Sequence, residues 1–551
     1  MKRSFFLWLC VILIFSLILC SCGGGSSTSR QDSADSKGVS GSDAHSLLNQ
    51  EAEKYELPLV NEPYTITFAT AEDMEAVAAS KSYADNLPAF EELEKRTGIH
   101  VKFEVVPPDQ YNTTIQTRLA AAKDLPDLIR LPDDPIRYAK GGLIIPIDEL
   151  IGKYAPNILK LFKERPEVMK ALIAPDGKIY TLAAVVDARS MVNFNGLGMR
   201  KDWLEKLNLE EPDTIDEWFD VLVAFKERDP NGNGKTDEIP LLAMNVNGLY
   251  KFAWSYGLHL VLSDGWYTDD EGSVIYEWID PRLKDWLTEM NKWYNAGILD
   301  PDMTAAQDMD KYTAKAIGNV GGASVSDFTM RFPQWNERMT KDYPDARWEG
   351  IVPPKGPYGD RLLEKEQPTE NIHYAITRDC KDPEILIKWL DYMFASEDGQ
   401  ILMGNFGIEG LSYVMQDGKP QFTDYILKSE LGSGIAQASL GVNGSFPRIL
   451  MQECIEQRFY QYENEMEQSR KATQYYVPSF PRILASQEEV DTYTSIMADI
   501  ETYRDEMIIK FIQGQEPLDN FDKYVEAIKA MGIDEAIAIK QAQYDRYMQS
   551  E

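Results

Sequence analysis

With 551 residues, 44% of them hydrophobic and 11% aromatic, the chain has the size and composition of a globular body of more than one domain, with a substantial core. Asp and Glu (89) outnumber Lys and Arg (56), and the formal charge of -33 repels nucleic acid, anionic lipid and polyanions at long range. Nucleic-acid binding is close to excluded, and the charge itself reads as solubility outside a cell.

Lys2 and Arg3 precede an apolar run from Phe5 to Leu19, the length of a signal-peptide core and short for a membrane span. Leu19-Cys20-Ser21-Cys22 then sets a small residue just before a cysteine with Leu three before it, which resembles the bacterial lipobox. Residues 1–21 are therefore expected to be a signal peptide, and Cys22 the lipidated first residue carrying diacylglycerol and palmitate. Cys20 follows the bulky Leu19 and fits the cleavage site poorly. Residues 22–54 begin with a Gly/Ser run and lack a basic stop-transfer cluster, so a flexible tether is expected, with the folded body starting near Tyr55. Cys380 and Cys454 remain in the mature body, either bridged or separately buried as apolar residues.

Residues 64–70 (YTITFAT) predict a strand, 86–97 an amphipathic helix and 101–106 (VKFEVV) a second strand, a βαβ opening. A helix over 109–123 and a short apolar strand over 125–131 extend the alternation, which predicts a parallel α/β sheet. Ligands of such sheets sit outside the carboxyl ends of the strands, so the loops after Thr70, Val106 and Leu131 are candidate cleft edges. Asp176-Gly177 predicts a turn into a strand, and 193–199 a strand that crosses into a second lobe. Thr214-Ile215-Asp216-Glu217 is a capping box opening a helix whose buried face is Ile215, Trp218, Phe219, Leu222 and Phe225. Trp286 and Trp293, seven apart, are packing residues of another helix. The small residues of 314–324 are expected to return the chain to the first lobe, 383–394 is helical, and the stretch from Glu488 wraps the second lobe in helices.

Arg200-Lys201-Asp202-Trp203-Leu204, Ala224-Phe225-Lys226 and the loop from Asp229-Pro230-Asn231-Gly232-Asn233-Gly234 to Asp237-Glu238-Ile239-Pro240 resemble extracellular solute-binding proteins of family 1. The likeness is to the large LipO-like lipoprotein branch and to alginate-binding receptors that share its calcium loop. It implies a type II periplasmic-binding fold: two discontinuous α/β lobes around a cleft, 55–190 with 314–375 and 191–313 with 376–551, the second carrying a helical C-terminal extension. It also implies a monomeric sugar or oligosaccharide receptor, lipid-anchored on the extracellular face of the cell membrane, which serves an ABC permease by hinge closure.

Asp229, Asn231 and Asn233 alternate so that their oxygens can converge, while Gly234 supplies the turn, as at the opening of an EF-hand. The twelfth position is Pro240 instead of Glu, so the shell is expected to close through Asp237, Glu238 and the Lys235 carbonyl around a structural calcium.

Sugar sites combine flat rings with side chains that read hydroxyls. Asp187, Arg189 and Asn193 at the lobe crossing are ligand candidates, as are Trp254, Trp266, Tyr267, Trp335, Glu409, Tyr413 and Arg448. Two other readings compete: a secreted polysaccharide-degrading enzyme, and a co-receptor presenting ligand to a membrane sensor. Against the enzyme, His100, His259 and His373 have no triad or metal spacing, and neither a nucleophile elbow nor a phosphate loop occurs.

Overall fold

The computed structural model describes residues 44–191, 196–305, 308–325, 331–459 and 463–549. Cys22 and Asn193 lie outside the described residues. Nine strands build two sheets: β1 (Tyr64–Ala71), β2 (Ile99–Val106), β3 (Leu128–Arg130), β4 (Thr181–Val185), β5 (Leu197–Arg200), β6 (Ile239–Leu242), β7 (Gly321–Ser324), β8 (Trp348–Ile351) and β9 (Thr369–Ile376). The first sheet has the order β2-β1-β3-β9-β4, the second β8-β5-β7-β6.

β1 runs parallel to β2 from Tyr64↔Ile99 to Ala71↔Val106 and parallel to β3, while β9 is antiparallel to both β3 and β4. The last four residues of β1 are all buried, as expected of a strand with both faces covered. The following helix spans Pro88–Thr97, two residues later than its periodicity suggests. Asn86 adopts a left-handed φ of 51° to close the preceding turn, Pro88 starts the helix, and Gly98 at φ 76° ends it.

The second sheet is mixed, with β6 parallel and β5 antiparallel to β7. Against it packs the helix Ile215–Glu227, opened by both bonds of the predicted Thr214/Glu217 capping box. Ile215, Trp218, Leu222 and Phe225 are buried in its core, whereas Phe219 is half-buried and carries the Lys292 ammonium 3.9 Å from its ring centre.

The small residues of β7 have a different cause from the one expected. A Cβ on Gly321 would meet Leu242 at 2.4 Å, and one on Gly322 would meet Phe225 at 2.5 Å. They let a helix and a neighbouring strand approach closely within the second lobe, so 314–351 belongs there and does not return to the first. Residues 376–459 instead join the first lobe: Leu386, Trp389, Phe406 and Cys454 share a core with Phe68, Leu128 and Leu182. The helices Gln487–Gln513, Phe521–Ala530 and Ile533–Met548 pack on the second core through Ile508, Phe511, Tyr524 and Ile533.

The body also begins earlier than Tyr55. Ala44 and Leu47, on a short turn of helix, are buried against the first core, so this part of the expected tether is folded. Cys380 and Cys454 are free thiols, both pushed up by burial, to about 12 and about 11. No described helix is long and apolar enough to cross a membrane.

Candidate functional site

Because β1, β3 and β4 all end on one edge of the first sheet and β9 begins there, Asp187, Arg189 and Glu370 gather at the mouth of the crossing. Arg448 is brought in by main-chain bonding: the Val185 N–H donates to the Arg448 carbonyl (2.7 Å) and Leu450 N–H to Val185 (2.9 Å). One oxygen of Glu370 accepts from Arg189 Nη2 at 2.9 Å and from Arg448 Nη2 at 3.2 Å. Arg448, 7% exposed, is also held by Asn443 Oδ1 (2.6 Å) and the Gly444 carbonyl (2.8 Å). Burial lowers the Arg189 pKa, with Glu370 opposing and Arg448 adding to the shift. Desolvation raises the nearby Glu366 against the pull of Arg189 and Arg482. Asp187 pairs with Arg165, 2.9 Å from Nη2, and has Lys365 Nζ at 3.9 Å.

The lobes are joined by crossing segments in which Leu363–Lys365 and Tyr476–Pro478 pair as parallel strands. Glu364 anchors them to the second lobe. Its carboxylate is 2% exposed and accepts from Trp254 Nε1 (3.0 Å) and from the backbone N–H groups of Val261 (2.9 Å), Leu262 (3.2 Å) and Ser263 (2.8 Å). Gly356 lies so close to Ser255 that a Cβ would fall 1.5 Å from its carbonyl oxygen. On the first-lobe side, Val186 N–H donates to Pro368 at 3.0 Å and Arg482 Nη1 donates to the Thr369 carbonyl. The chain between Lys365 and Thr369 therefore spans the boundary between the two sets of contacts.

Between the helix Ile215–Glu227 and β6, the loop 229–238 closes on itself. Gly232 and Gly234 take φ of 71° and 74°, and even Asp229 sits at 43°. Asp229 accepts from the N–H groups of Asn233 (3.1 Å) and Gly234 (3.0 Å). Asp237 accepts from the amides of Asn231 (3.1 Å) and Asn233 (3.0 and 3.1 Å), which lower its pKa. Glu238 is different: both of its oxygens are buried with no hydrogen-bond partner, and burial, then Asp229 and Asp237, raise its pKa. Among the described residues no three Asp, Glu, His or Cys side chains converge as a metal cluster. A cation here would have to draw on asparagine and backbone oxygens as well.

The family model for bacterial extracellular solute-binding proteins matches residues 78–400, more than half of the chain. The chain belongs to this family. The fructooligosaccharide ABC transporter substrate-binding protein FusA of Streptococcus pneumoniae is 28% identical over 505 residues, 83% of this chain and 86% of FusA. Lipoprotein LipO of Bacillus subtilis is 25% identical over 481 residues, 84% of this chain and 90% of LipO. Among solved structures, the alginate-binding protein AlgQ2 without calcium ion is 27% identical with a TM-score of 0.69, covering 89% of this chain and all of that one. FusA in complex with kestose shares the fold at TM-score 0.68 and 24% identity, over 88% of this chain and 100% of its own. The fold is the two-lobed type II periplasmic-binding architecture expected from the sequence.

In this solute-binding protein Arg189 and Arg448 meet on Glu370 at the crossing, while Asp187 pairs with Arg165 and, like Tyr267, lines an interlobe cavity. Other candidates do not reach the cleft. Trp254 is fully buried as a donor to Glu364, and Trp266 packs between Tyr276 and Tyr493. Trp335 is core, edge-on to Tyr312 and Trp348. Tyr413 packs on Phe406, and Glu409 is exposed beside it on the first lobe's hairpin. These rings have loop-like neighbours in sequence but fill the two cores. Glu364, Glu366, Glu370 and Arg482 went unnoticed because a lone acid or base in so charged a chain carries no local signal. The Pro-rich run around Arg482 was the one available hint of an extended crossing.

Proposed function

We propose that this protein captures a neutral oligosaccharide at the carboxyl edge of its first sheet and delivers it, intact, to the permease of an ABC importer by closing its lobes. The relatives FusA and LipO support the receptor reading, and the expected lipid on Cys22 would hold the monomeric body at the extracellular face of the membrane. The observation that carries the ligand class is the Arg189–Glu370–Arg448 arrangement. Both guanidiniums are paired with one carboxylate, so the trio offers hydroxyl-reading donors and acceptors and one net positive charge instead of two.

The loop 229–238 fits a hard cation. Glu238 holds two buried, partnerless oxygens beside two further acids, a charge arrangement that a divalent ion neutralises. Asp229, Asn231, Asn233, the Lys235 carbonyl, Asp237 and Glu238 would hold calcium, which ties the end of Ile215–Glu227 to β6. AlgQ2, whose structure is described as without calcium ion, supports the choice of metal.

Thermal unfolding of the body from Ser42 onward, with fructo-oligosaccharides, mannan fragments and alginate oligomers, with and without EDTA, tests the reading. A neutral glycan is expected to raise the melting temperature and EDTA to lower the baseline. Stabilisation by alginate alone would overturn the ligand class.

A further inference from the structure

A groove of about 920 Å³ opens on the second lobe, where the helix Lys201–Leu207 meets the loop 229–238 and the segment 342–347. All of its lining comes from that lobe, and none of it is shared with the Arg189–Glu370–Arg448 cleft or with the interlobe cavity. The volume falls within the roughly 300–1,000 Å³ range of small-molecule sites.

Three polar atoms of its lining residues are buried without a hydrogen-bond partner among the described residues: Arg200 Nη1, Trp203 Nε1 and Asn319 Oδ1. Arg200, the last residue of β5, is 1% exposed. Its guanidinium lies 4.8 Å from the Trp203 ring centre and 6.0 Å from that of Trp348, and its Nε and Nη2 donate to Asp202 at 2.8 and 2.6 Å. Nη1 is the nitrogen left over. Such atoms are costly to bury alone, and three around a single groove point to a ligand that supplies two acceptors and a donor.

The charges are divided in the same way. Asp202 is taken by Arg200, and Arg347 pairs with Glu205 and Glu349. Among the described residues the exposed Lys206 has only the Pro230 carbonyl as a partner, while the exposed Asp342 and Asp345 have no cation paired with them. A neutral sugar leaves these charges unanswered, a simple anion meets Asp342 and Asp345, and a simple cation meets Arg200 and Lys206. A short peptide with free ends answers each: a carboxylate for the N–H groups and Lys206, a main-chain N–H for Asn319, and an ammonium for the two acids.

We propose that this groove is a peptide-binding site, holding the α-carboxylate of a short peptide at Arg200, Trp203 and Lys206 and its amino end toward Asp342 and Asp345. It stands apart from the glycan cleft and does not rest on it.

The test is calorimetric titration of the mature chain with trialanine, its C-terminal amide, its N-acetyl form and inorganic phosphate, repeated on Trp203→Phe and Lys206→Ala. Trp203→Phe removes one N–H while keeping a ring in the core. Lys206 is on the surface, so its variant keeps the test valid should Trp203→Phe fail to fold. Trialanine is expected to bind with one equivalent, about tenfold or more weaker as the amide and in Trp203→Phe, and a few-fold weaker as the N-acetyl form and in Lys206→Ala. No binding of trialanine, equal binding of its amide, or an affinity unchanged in both variants overturns the site. Phosphate that binds and is not displaced by trialanine overturns the peptide class in favour of a plain anion.

Discussion

Replacing Glu364 by Ala removes the acceptor of four donors, the buried Trp254 indole and Ser263 N–H and the part-buried N–H groups of Val261 and Leu262. At about 1–2 kcal/mol for each of the two buried donors and about 0.5 kcal/mol for each part-buried one that water can reach, the loss is about 3–5 kcal/mol. That agrees with the roughly 3–5 kcal/mol typical of breaking a buried charged arrangement. Glu364→Gln keeps one accepting oxygen but turns an amide N–H₂ toward donors, so about half that loss is expected. Urea unfolding followed by tryptophan fluorescence reads both variants as shifts in midpoint at unchanged slope. A change below about 1 kcal/mol for the alanine variant, or a glutamine variant less stable than the alanine one, would refute the anchor.

Other outcomes follow from the same contacts. Asp229→Ala or EDTA should lower the melting temperature by a few degrees and Glu238→Gln should blunt the effect of EDTA, measured by differential scanning fluorimetry. Trp335→Ala should cost about 3–5 kcal/mol of stability yet leave sugar affinity unchanged, since its ring fills a core. Arg189→Ala should weaken glycan binding at the cleft by calorimetry with little change in stability. Asp391, fully buried where it accepts from Tyr55, Asn157 and the Ile158 N–H, is pushed up by burial to about 6. The unfolded chain releases that proton first, so this group's stabilisation is complete below about pH 4 and falls by about 3 kcal/mol as pH rises through 6. Asp391→Asn should flatten that part of a stability profile measured from pH 4 to 7.

Local signals were reliable where neighbours in sequence decide the outcome. The Thr214 box, the Thr97 end of the first long helix and the β-branched run of β1 are set by bonds and backbone angles within a few residues, although that helix starts at Pro88 and not at the expected Asn86. The same is true of the turn at Gly234. What failed depends on long-range packing. The glycines of β7 signal close approach by Phe225 and Leu242, not a change of lobe, and a count of small residues cannot tell the two apart. Tryptophans beside Gly, Ser and Asp look like cleft residues, yet Trp254 is held by an acid 110 positions away. At the site, Asp187 and Arg189 were legible as charges near a crossing and Arg448 as a loop candidate, while Glu370, which joins the two arginines, was not.

The most direct measurement of the central claim is small-angle scattering of the mature chain with and without a fructo-oligosaccharide or other glycan that stabilises it, with the sugar recovered afterward and analysed by mass spectrometry. A smaller radius of gyration with ligand and an intact glycan in full yield are expected. A radius that does not change at saturation, or a glycan recovered as cleavage products, would contradict that claim.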